Sequence, residues 1–592
     1  MPVIRFDAAV AEFHWLLTHV VDLDELLSLG GIDGLDRAAT AQLLDAAGEF
    51  IGTAIAPLSE QSDRVGARMQ GGRVVTPPGW RDAYQAWREN GWPALGVPPT
   101  HGGQGIPFIM QACVATMLGG ADLGFAMVAV SARGAASVLF AHAEADLAAI
   151  CVPRLASGEW TATIAITEAQ AGSDVGLIST KATRRPGGRF ALTGSKIFIS
   201  GGDHDLTEQI LHIVLARLEG AAPGVKGLSL FLVPSRLFTP SGELQGRNAV
   251  AVSRIEEKMG LHGSATCALD FAGAEGVMIG AEGAGLATLF TMMNELRIEV
   301  ALNAVGLSAC ATAHAIAYAA ERRQGRAIDG GGIGAVTIDE HPDVQRMLLV
   351  MRALTDGGRA LILEAARSFD LARLSPTDQA RAEAKLRLEW LLPICKATLS
   401  ENAVEVADIG IQIRGGHGFV RESGAEQFLR DARVLPIYEG TNGIHAIDLV
   451  TRKLQRGGGR AYHLFIDDIR KDLHKFAARP DLSDIRGTVQ RGVDLLEEVS
   501  SKLAACGPGT EPGTLFGAKS YLNLAGRIAM AWMWLRMASA AHAGADAMTR
   551  DKRSLASFFA SYYEPEFHLH AARVLNALNQ SHQPKELHHG KP

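Results

Sequence analysis

The sequence predicts an α+β chain of several domains: an α-helical N-terminal domain, a middle β-domain, a helical bundle and an additional helical C-terminal domain. Three observations predict this. The chain has 592 residues, too long for one hydrophobic core and suited to roughly three or four domains. Its hydrophobic content of 47% against 20% charged residues is that of a folded globular protein. The apolar periodicity is helical, turns strand-like near Trp160, and becomes helical again near Gly285.

Residues 1 to 35 read as a short helical extension with a stop at Gly30-Gly31. From 36 to 160 the text is rich in Ala, Leu, Glu and Gln at helical spacing. Turn clusters at Gly71-Gly72, Pro77-Pro78-Gly79 and Gly102-Gly103-Gln104-Gly105 interrupt it. The segments 161–166, 189–193, 196–200, 210–215, 228–233 and 267–271 are short, rich in β-branched and aromatic residues and separated by Gly, Pro and Asp, so a β-domain is expected over 161–275. Residues 276–455 are helical, with Val344, Met347, Leu348 and Met351 forming one stripe at i, i+3, i+4 and i+7. A Gly457-Gly458-Gly459 linker precedes a further helical domain over 460–592, whose tail from Ser581 to Pro592 is expected to fray.

Composition excludes several function classes. The formal net charge of −7 gives no electrostatic case for nucleic acid or an anionic membrane as main partner. The six cysteines, Cys113, Cys151, Cys267, Cys310, Cys395 and Cys506, are widely separated and form no CxxC pair, as expected of buried thiols in a reducing, cytoplasmic setting without a zinc site. Residues 1 to 20 lack the long apolar core of a signal peptide. The apolar stretch Ile528–Met548 is broken by Arg536 and Asp546, so no integral membrane segment is expected. His568 and His570 diverge on a helix and suggest no metal site. Gly283-Ala284-Gly285 lacks the third glycine and the βαβ setting of a dinucleotide fingerprint.

Two stretches carry chemistry. In Arg430-Asp-Ala-Arg-Val-Leu-Pro-Ile-Tyr-Glu-Gly-Thr-Asn-Gly-Ile444, Glu439 stands between apolar residues and a Gly-Thr-Asn-Gly turn. A poorly solvated carboxylate has a raised pKa and can act as a base near neutral pH, whereas an ordinary surface glutamate is solvated and inert. In Ala165-Ile-Thr-Glu-Ala-Gln-Ala-Gly-Ser-Asp-Val-Gly176, a strand ends at a turn with hydroxyls at Thr167 and Ser173 and small residues at Ala171 and Gly172. Small residues admit a flat ring or pyrophosphate to the backbone, though such a turn can also be only a turn.

The second stretch resembles the first signature of the acyl-CoA dehydrogenases, departing at Leu177, where that family prefers a small residue. Gln412-Ile-Arg-Gly-Gly-His-Gly-Phe-Val-Arg-Glu422, continuing to Arg430-Asp431, is similar to the second signature and departs at Gln427, where Lys or Arg is usual. Tyr438-Glu-Gly-Thr441 resembles the family's base segment. The resemblance covers about residues 36 to 455. The N-terminal extension, Met259-Gly-Leu-His-Gly263 and the extra C-terminal helices resemble the long bacterial subgroup, which includes 3-methylthiopropionyl-CoA and fatty acyl-CoA dehydrogenases.

The resemblance implies an acyl-CoA dehydrogenase-like fold with a β-barrel or sandwich in the middle and a four-helix bundle after it. It implies bound FAD, held by Ile166, Thr167, Phe198, Ser200, Arg322, His341, Gln412, Gly415, Gly416 and Thr441. Phe198 replaces the usual Trp and loses an indole N–H, Ser200 replaces Thr, and Pro342 replaces the Gln that often follows His341. Arg322 is the phosphate-binding candidate because its fork matches phosphate oxygens. Ser173, Met293, Asn294, Arg297 and Gly440 are the implied acyl-CoA contacts. Some family members carry the base immediately before the residue matching Arg297, but here that position is Leu296, and Glu295 lies about 100° away around a helix. The base therefore falls to Glu439, which is expected to remove the pro-R α-proton while flavin N5 accepts the β-hydride. Electron-transfer flavoprotein is the implied acceptor partner, and a homo-oligomer, a dimer ahead of a tetramer, the implied assembly. The alternatives are an acyl-CoA oxidase using oxygen and a non-catalytic, DNA-binding flavoprotein relative. Residues 460–592 hold 17 Lys+Arg and 14 Asp+Glu, a net of +3, too balanced for a strong phosphate-binding surface.

Overall fold

The computed structural model describes residues 6–30, 35–327, 334–507, 511–540 and 547–579. Gly31 and the tail from Ser581 to Pro592 lie outside the described residues. Two compact units divide the chain. The first comprises 1–9, 32–310 and 420–434, and the second 10–31, 311–419 and 435–592.

The first unit opens with helices, among them Arg37–Phe50, Trp80–Glu89, Phe108–Ala121, Leu123–His142 and Ala145–Ala156. Asp122 starts the fourth of these by accepting the Phe125 N–H at 3.0 Å, which satisfies one of the donors that a helix start leaves open. The β-domain is a closed circuit. Thr266–Ile279 pairs with Arg189–Ser200, which pairs with Lys181–Arg184; that strand pairs with Ile210–Leu218, which pairs with Leu228–Pro234, and the last returns to Thr266–Ile279. Thr161–Ala165 adds in parallel to Ile210–Leu218, and Val250–Ile255 adds antiparallel to Thr266–Ile279. Closure pairs the five strands of the circuit on both sides, and the two added strands form the remaining edges.

One side chain set, including Leu192, Ile199, Val214, Phe231, Leu269 and Phe271, fills one core. The alternate set, Leu211, Ile213, Leu215, Leu230 and Leu232, packs with residues of helices Leu123–His142 and Ala145–Ala156. Both faces of Ile210–Leu218 and Leu228–Pro234 are thus buried, which is why these strands read as unbroken apolar runs. The two strands expected over 189–193 and 196–200 are one strand, Arg189–Ser200. Gly194 and Ser195 interrupt the apolar text but not the ladder. Gly283 and Gly285 are packing glycines: a Cβ on Gly285 would stand 2.5 Å from the Ser229 backbone.

The second unit is helical. It contains the later part of Gly285–Glu321, then Pro342–Leu374, Asp378–Arg414, Arg460–Lys475, Ser483–Ala505, Pro512–Ala540 and Ala547–Asn579. Met347 and Met351 of the expected stripe are buried, with Val344 and Leu348 at its half-buried margin. The helices Val10–His19 and Leu23–Gly30 belong to this unit. Phe13, Leu16, Leu17 and Leu26 are buried, Arg359 stacks on Phe13, and Glu12 joins Asp356 around the buried Lys552 ammonium. The N-terminal extension is therefore an integral part of the helical core formed by the chain's second half.

All six cysteines are free thiols, five of them buried as expected and Cys506 half-buried. Leu123–His142 and Gly285–Glu321 are long and apolar enough to cross a membrane by length and composition. Their apolar windows are 69% and 78% buried within the protein, as in core helices.

Candidate active site

In the first unit, the turn after Thr161–Ala165 is fastened to strand Arg189–Ser200. The Lys196 ammonium is fully buried and donates to the Ile166 carbonyl at 2.9 Å, the Leu215 carbonyl at 2.7 Å and the Glu168 carboxylate at 2.8 Å. Ile197 N–H donates to the Thr167 carbonyl at 2.9 Å. Glu168 also accepts from the Ser179 and Thr180 backbone N–H groups and from the Ser179 hydroxyl. Burial opposes ionisation of Glu168, but Lys196 and these donors outweigh it and hold the carboxyl down at about 2. Burial draws Lys196 down to about 8, so both partners are charged at neutral pH. The side chains of Thr167 and Ile166 are half-buried on this pinned turn, and Ser173 is exposed further along it.

Phe198 sits at a break in the ladder between the pairs Cys267↔Ile199 and Leu269↔Lys196. This bulge turns its backbone to φ +59° and leaves the ring 61% exposed. A left-handed conformation at a bulky residue costs on the order of 1–2 kcal/mol and is informative where found. Ser200, half-buried, ends the strand. Among the described residues, neither the Thr167 nor the Ser200 hydroxyl has a protein hydrogen-bond partner.

On helix Gly285–Glu321, Met292 is buried against Gly134, where a Cβ would stand 2.8 Å from Met292 Cγ. Leu296 is one turn on and packs in the same core. Its apolar surroundings explain why no carboxylate occupies that position. Met293, Asn294 and Arg297 are half-buried, with Arg297 over the Phe290 ring at 5.7 Å. Glu299, a buried carboxylate on the same helix, is pushed up by burial but ion-paired with Arg133.

The Arg430-Asp431 end of the second motif has a structural role. Asp431 accepts the Leu261 N–H at 2.6 Å, and Arg430 forks onto Asp63 at 2.8 and 2.6 Å. A Cβ on Gly260 would stand 2.5 Å from Asp431 Oδ1, so Met259–Gly263 and Arg430-Asp431 are built for each other. Gln427, the departure from the family pattern, is buried and donates to the Ser59 hydroxyl at 3.2 Å. Its amide also reaches Asp431 Oδ2 at 3.5 Å, so a neutral side chain serves as donor to both groups at this buried position.

In the second unit, Glu439 and Gly440 form a turn with φ +55° and +86°. Glu439 is half-buried and Thr441 exposed. The turn is held from beneath. Lys396, fully buried on helix Asp378–Arg414, donates to the Gly440 carbonyl at 2.8 Å and to Asn442 Oδ1 at 3.0 Å. Asn442 returns its amide to Ala397, Ser400 and Glu401 of the same helix. The Asn442 N–H donates to the Pro436 carbonyl, and His445 Nε2 lies 3.1 Å from the Glu439 carbonyl. A Cβ on Gly440 would approach His445 Nε2 to 3.2 Å in a backbone region side chains already avoid, so glycine is required.

The remaining expected residues occupy two other places. Arg322 is exposed and has no ion pair among the described residues. His341 hydrogen-bonds the Gln324 carbonyl at 2.7 Å and braces the segment after the helix. Gln412, Gly415 and Gly416 are exposed at the end of helix Asp378–Arg414, where Gly415 has φ +56° and nothing lies within 4 Å of a Cβ on either glycine. Arg414 beneath them stacks on Tyr318 at 4.6 Å.

Sequence reasoning assigned no role to Glu168, Lys196, Lys396, Asn442 or His445. Lys396 carries a readable signal, since it is a lone charge inside the largely apolar run Leu391-Leu-Pro-Ile-Cys-Lys-Ala-Thr-Leu399, whereas Lys196 follows Thr193-Gly-Ser195 and does not stand out.

Family models match almost the whole length. They are described as acyl-CoA dehydrogenase N-terminal domain (residues 38–159), middle domain (163–274) and C-terminal domain (283–454), and as acetyl-CoA dehydrogenase C-terminal like (465–581). The chain belongs to the acyl-CoA dehydrogenase family. It is accordingly an FAD oxidoreductase that dehydrogenates acyl-CoA. It is 38% identical over 547 residues to a 3-methylmercaptopropionyl-CoA dehydrogenase of Ruegeria pomeroyi, covering 91% of this chain and 92% of that one. A broad-specificity linear acyl-CoA dehydrogenase of Mycobacterium tuberculosis is 32% identical over 83% of this chain and 84% of its own. Among solved structures, Caenorhabditis elegans ACDH-11 in complex with C11-CoA superimposes with a TM-score of 0.76 at 23% identity, covering 91% of this chain and 89% of that one, a likeness of fold.

Proposed function

We propose that this chain converts an unbranched acyl-CoA to its trans-2-enoyl-CoA with Glu439 as the α-proton base. The observation that carries the proposal is the Glu439 turn: a half-buried carboxylate on left-handed backbone, pinned by Lys396, Asn442 and His445. A surface loop has no need of a buried lysine to fix it, whereas a base must be held within a few tenths of an ångström of its proton.

The residues fit FAD. Thr167 and Ser200 offer hydroxyls without a hydrogen-bond partner among the described residues, and Phe198 presents an apolar ring outward from a strained position. Arg322 offers an exposed guanidinium suited to pyrophosphate, with Gln412, Gly415, Gly416 and Thr441 as the further contacts. When bound, FAD supplies the acceptor for the β-hydride. The chain's own part is to orient the thioester, exclude water and take the α-proton onto the Glu439 carboxylate. The Glu439 N–H is positioned by the same turn and can donate to the thioester oxygen as enolate-like charge develops. Ser173, Met293, Asn294, Arg297 and Gly440 are the proposed acyl-CoA contacts.

The acyl groups named for the two relatives, 3-methylmercaptopropionyl and linear chains, make unbranched acyl-CoA the substrate class to test. Electron-transfer flavoprotein is the proposed acceptor and a homo-oligomer the proposed assembly. Turnover of acyl-CoA should require added electron-transfer flavoprotein and consume little oxygen. Equal turnover with oxygen alone would assign the chain as an oxidase instead.

A further inference from the structure

Lys396 is a fully buried lysine on helix Asp378–Arg414, 43 residues before the base in sequence and part of none of the three motifs. An ammonium withdrawn from water costs several kcal/mol unless its donors are met. Here two of its acceptors belong to the base segment: the Gly440 carbonyl at 2.8 Å and Asn442 Oδ1 at 3.0 Å. Asn442 is itself held by three bonds to the Ala397–Glu401 turn of the same helix. The segment it fastens is the one that needs fastening, because Glu439 at φ +55° pays a local conformational cost and would relax to an extended form if released.

We propose that Lys396, acting with Asn442, is the positioning residue for the proton-abstracting carboxylate. Its hydrogen bond fixes the Gly440 peptide, and this fixes the direction in which the Glu439 side chain leaves the turn. Lys396 acts through the backbone and takes no proton itself. The proposal rests on the reading of Glu439 as the base.

The test separates the two. A 3-thiaacyl-CoA has no β-hydrogen, so exchange of its α-protons with solvent deuterium in the FAD-loaded enzyme reports the base alone. In Lys396→Met, exchange should slow about 100-fold, the cost of a displacement near 1 Å, while the dissociation constant of the 3-thiaacyl-CoA stays within about threefold. Lys396→Arg should recover only part of the rate, since a planar fork cannot reproduce the point-like ammonium. If Lys396→Met does not fold, Asn442→Ser decides, with an expected slowing of about tenfold at unchanged affinity. Wild-type exchange in the variants, or affinity lost in proportion to rate, overturns the positioning role. Wild-type exchange in Glu439→Gln would instead remove the base assignment beneath it.

Discussion

Glu439→Gln retains its fold, its FAD and its affinity for acyl-CoA, but anaerobic flavin reduction by acyl-CoA falls roughly 1,000-fold or more. The size follows from the chemistry. The α-proton of a thioester is weakly acidic, and a positioned base contributes about 100- to 10,000-fold to such a step. Gln matches Glu in shape, so the turn held by Lys396, Asn442 and His445 has no reason to move. The sequence offers no second base, since Leu296 cannot accept a proton, and Glu401, the carboxylate bonded to Asn442 at 2.9 Å, is engaged in holding the turn. Stopped-flow reduction at saturating acyl-CoA, with substrate affinity measured separately, checks the prediction. Loss of rate and affinity in parallel would point to damaged binding instead.

The second large effect lies in the first unit. Lys196→Met should lower stability by about 3–5 kcal/mol, because it leaves the Glu168 carboxylate buried without its cation. The same change frees the Ile166 carbonyl and loosens the turn bearing Thr167, so FAD should be lost more readily on dilution. The double variant Glu168→Gln with Lys196→Met removes the stranded charge and should recover part of the stability. Denaturant unfolding of the three proteins measures this, and full stability in Lys196→Met alone would show that the pair is not the clamp described.

The fold class was legible because periodicity switches twice. What was not legible follows from burial and distance. Residues 189–193 and 196–200 read as two strands because Gly194-Ser195 breaks the apolar text, while the ladder to Thr266–Ile279 runs through. The strand Lys181–Arg184 is four residues long and polar, so it gives little strand signal, while Val250–Ile255 has apolar, β-branched text but buries no side chain fully and is absent from the expected strands. The N-terminal extension looked separate because its partners, Asp356, Arg359 and Lys552, lie hundreds of residues away.

Among the candidate residues, resemblance singled out Glu439 and Phe198, both of which have the positive φ that marks constrained positions. It gave no hint of what holds them. Lys196 and Lys396 act through backbone carbonyls, and a carbonyl has no sequence identity to match. Arg430-Asp431, read as part of a flavin-binding motif, bonds Asp63 and the Leu261 N–H. That pairing accounts for the motif's presence beside Met259–Gly263 by packing alone.

The central claim, that this chain dehydrogenates an unbranched acyl-CoA, is tested most directly by mixing the FAD-loaded protein anaerobically with a series of acyl-CoAs. The series should run from 3-methylthiopropionyl through medium to long straight chains. The account predicts that at least one of them bleaches the flavin, with one trans-2-enoyl-CoA formed per flavin reduced. Flavin that stays oxidised across the whole series, or bleaching without enoyl-CoA, would contradict it.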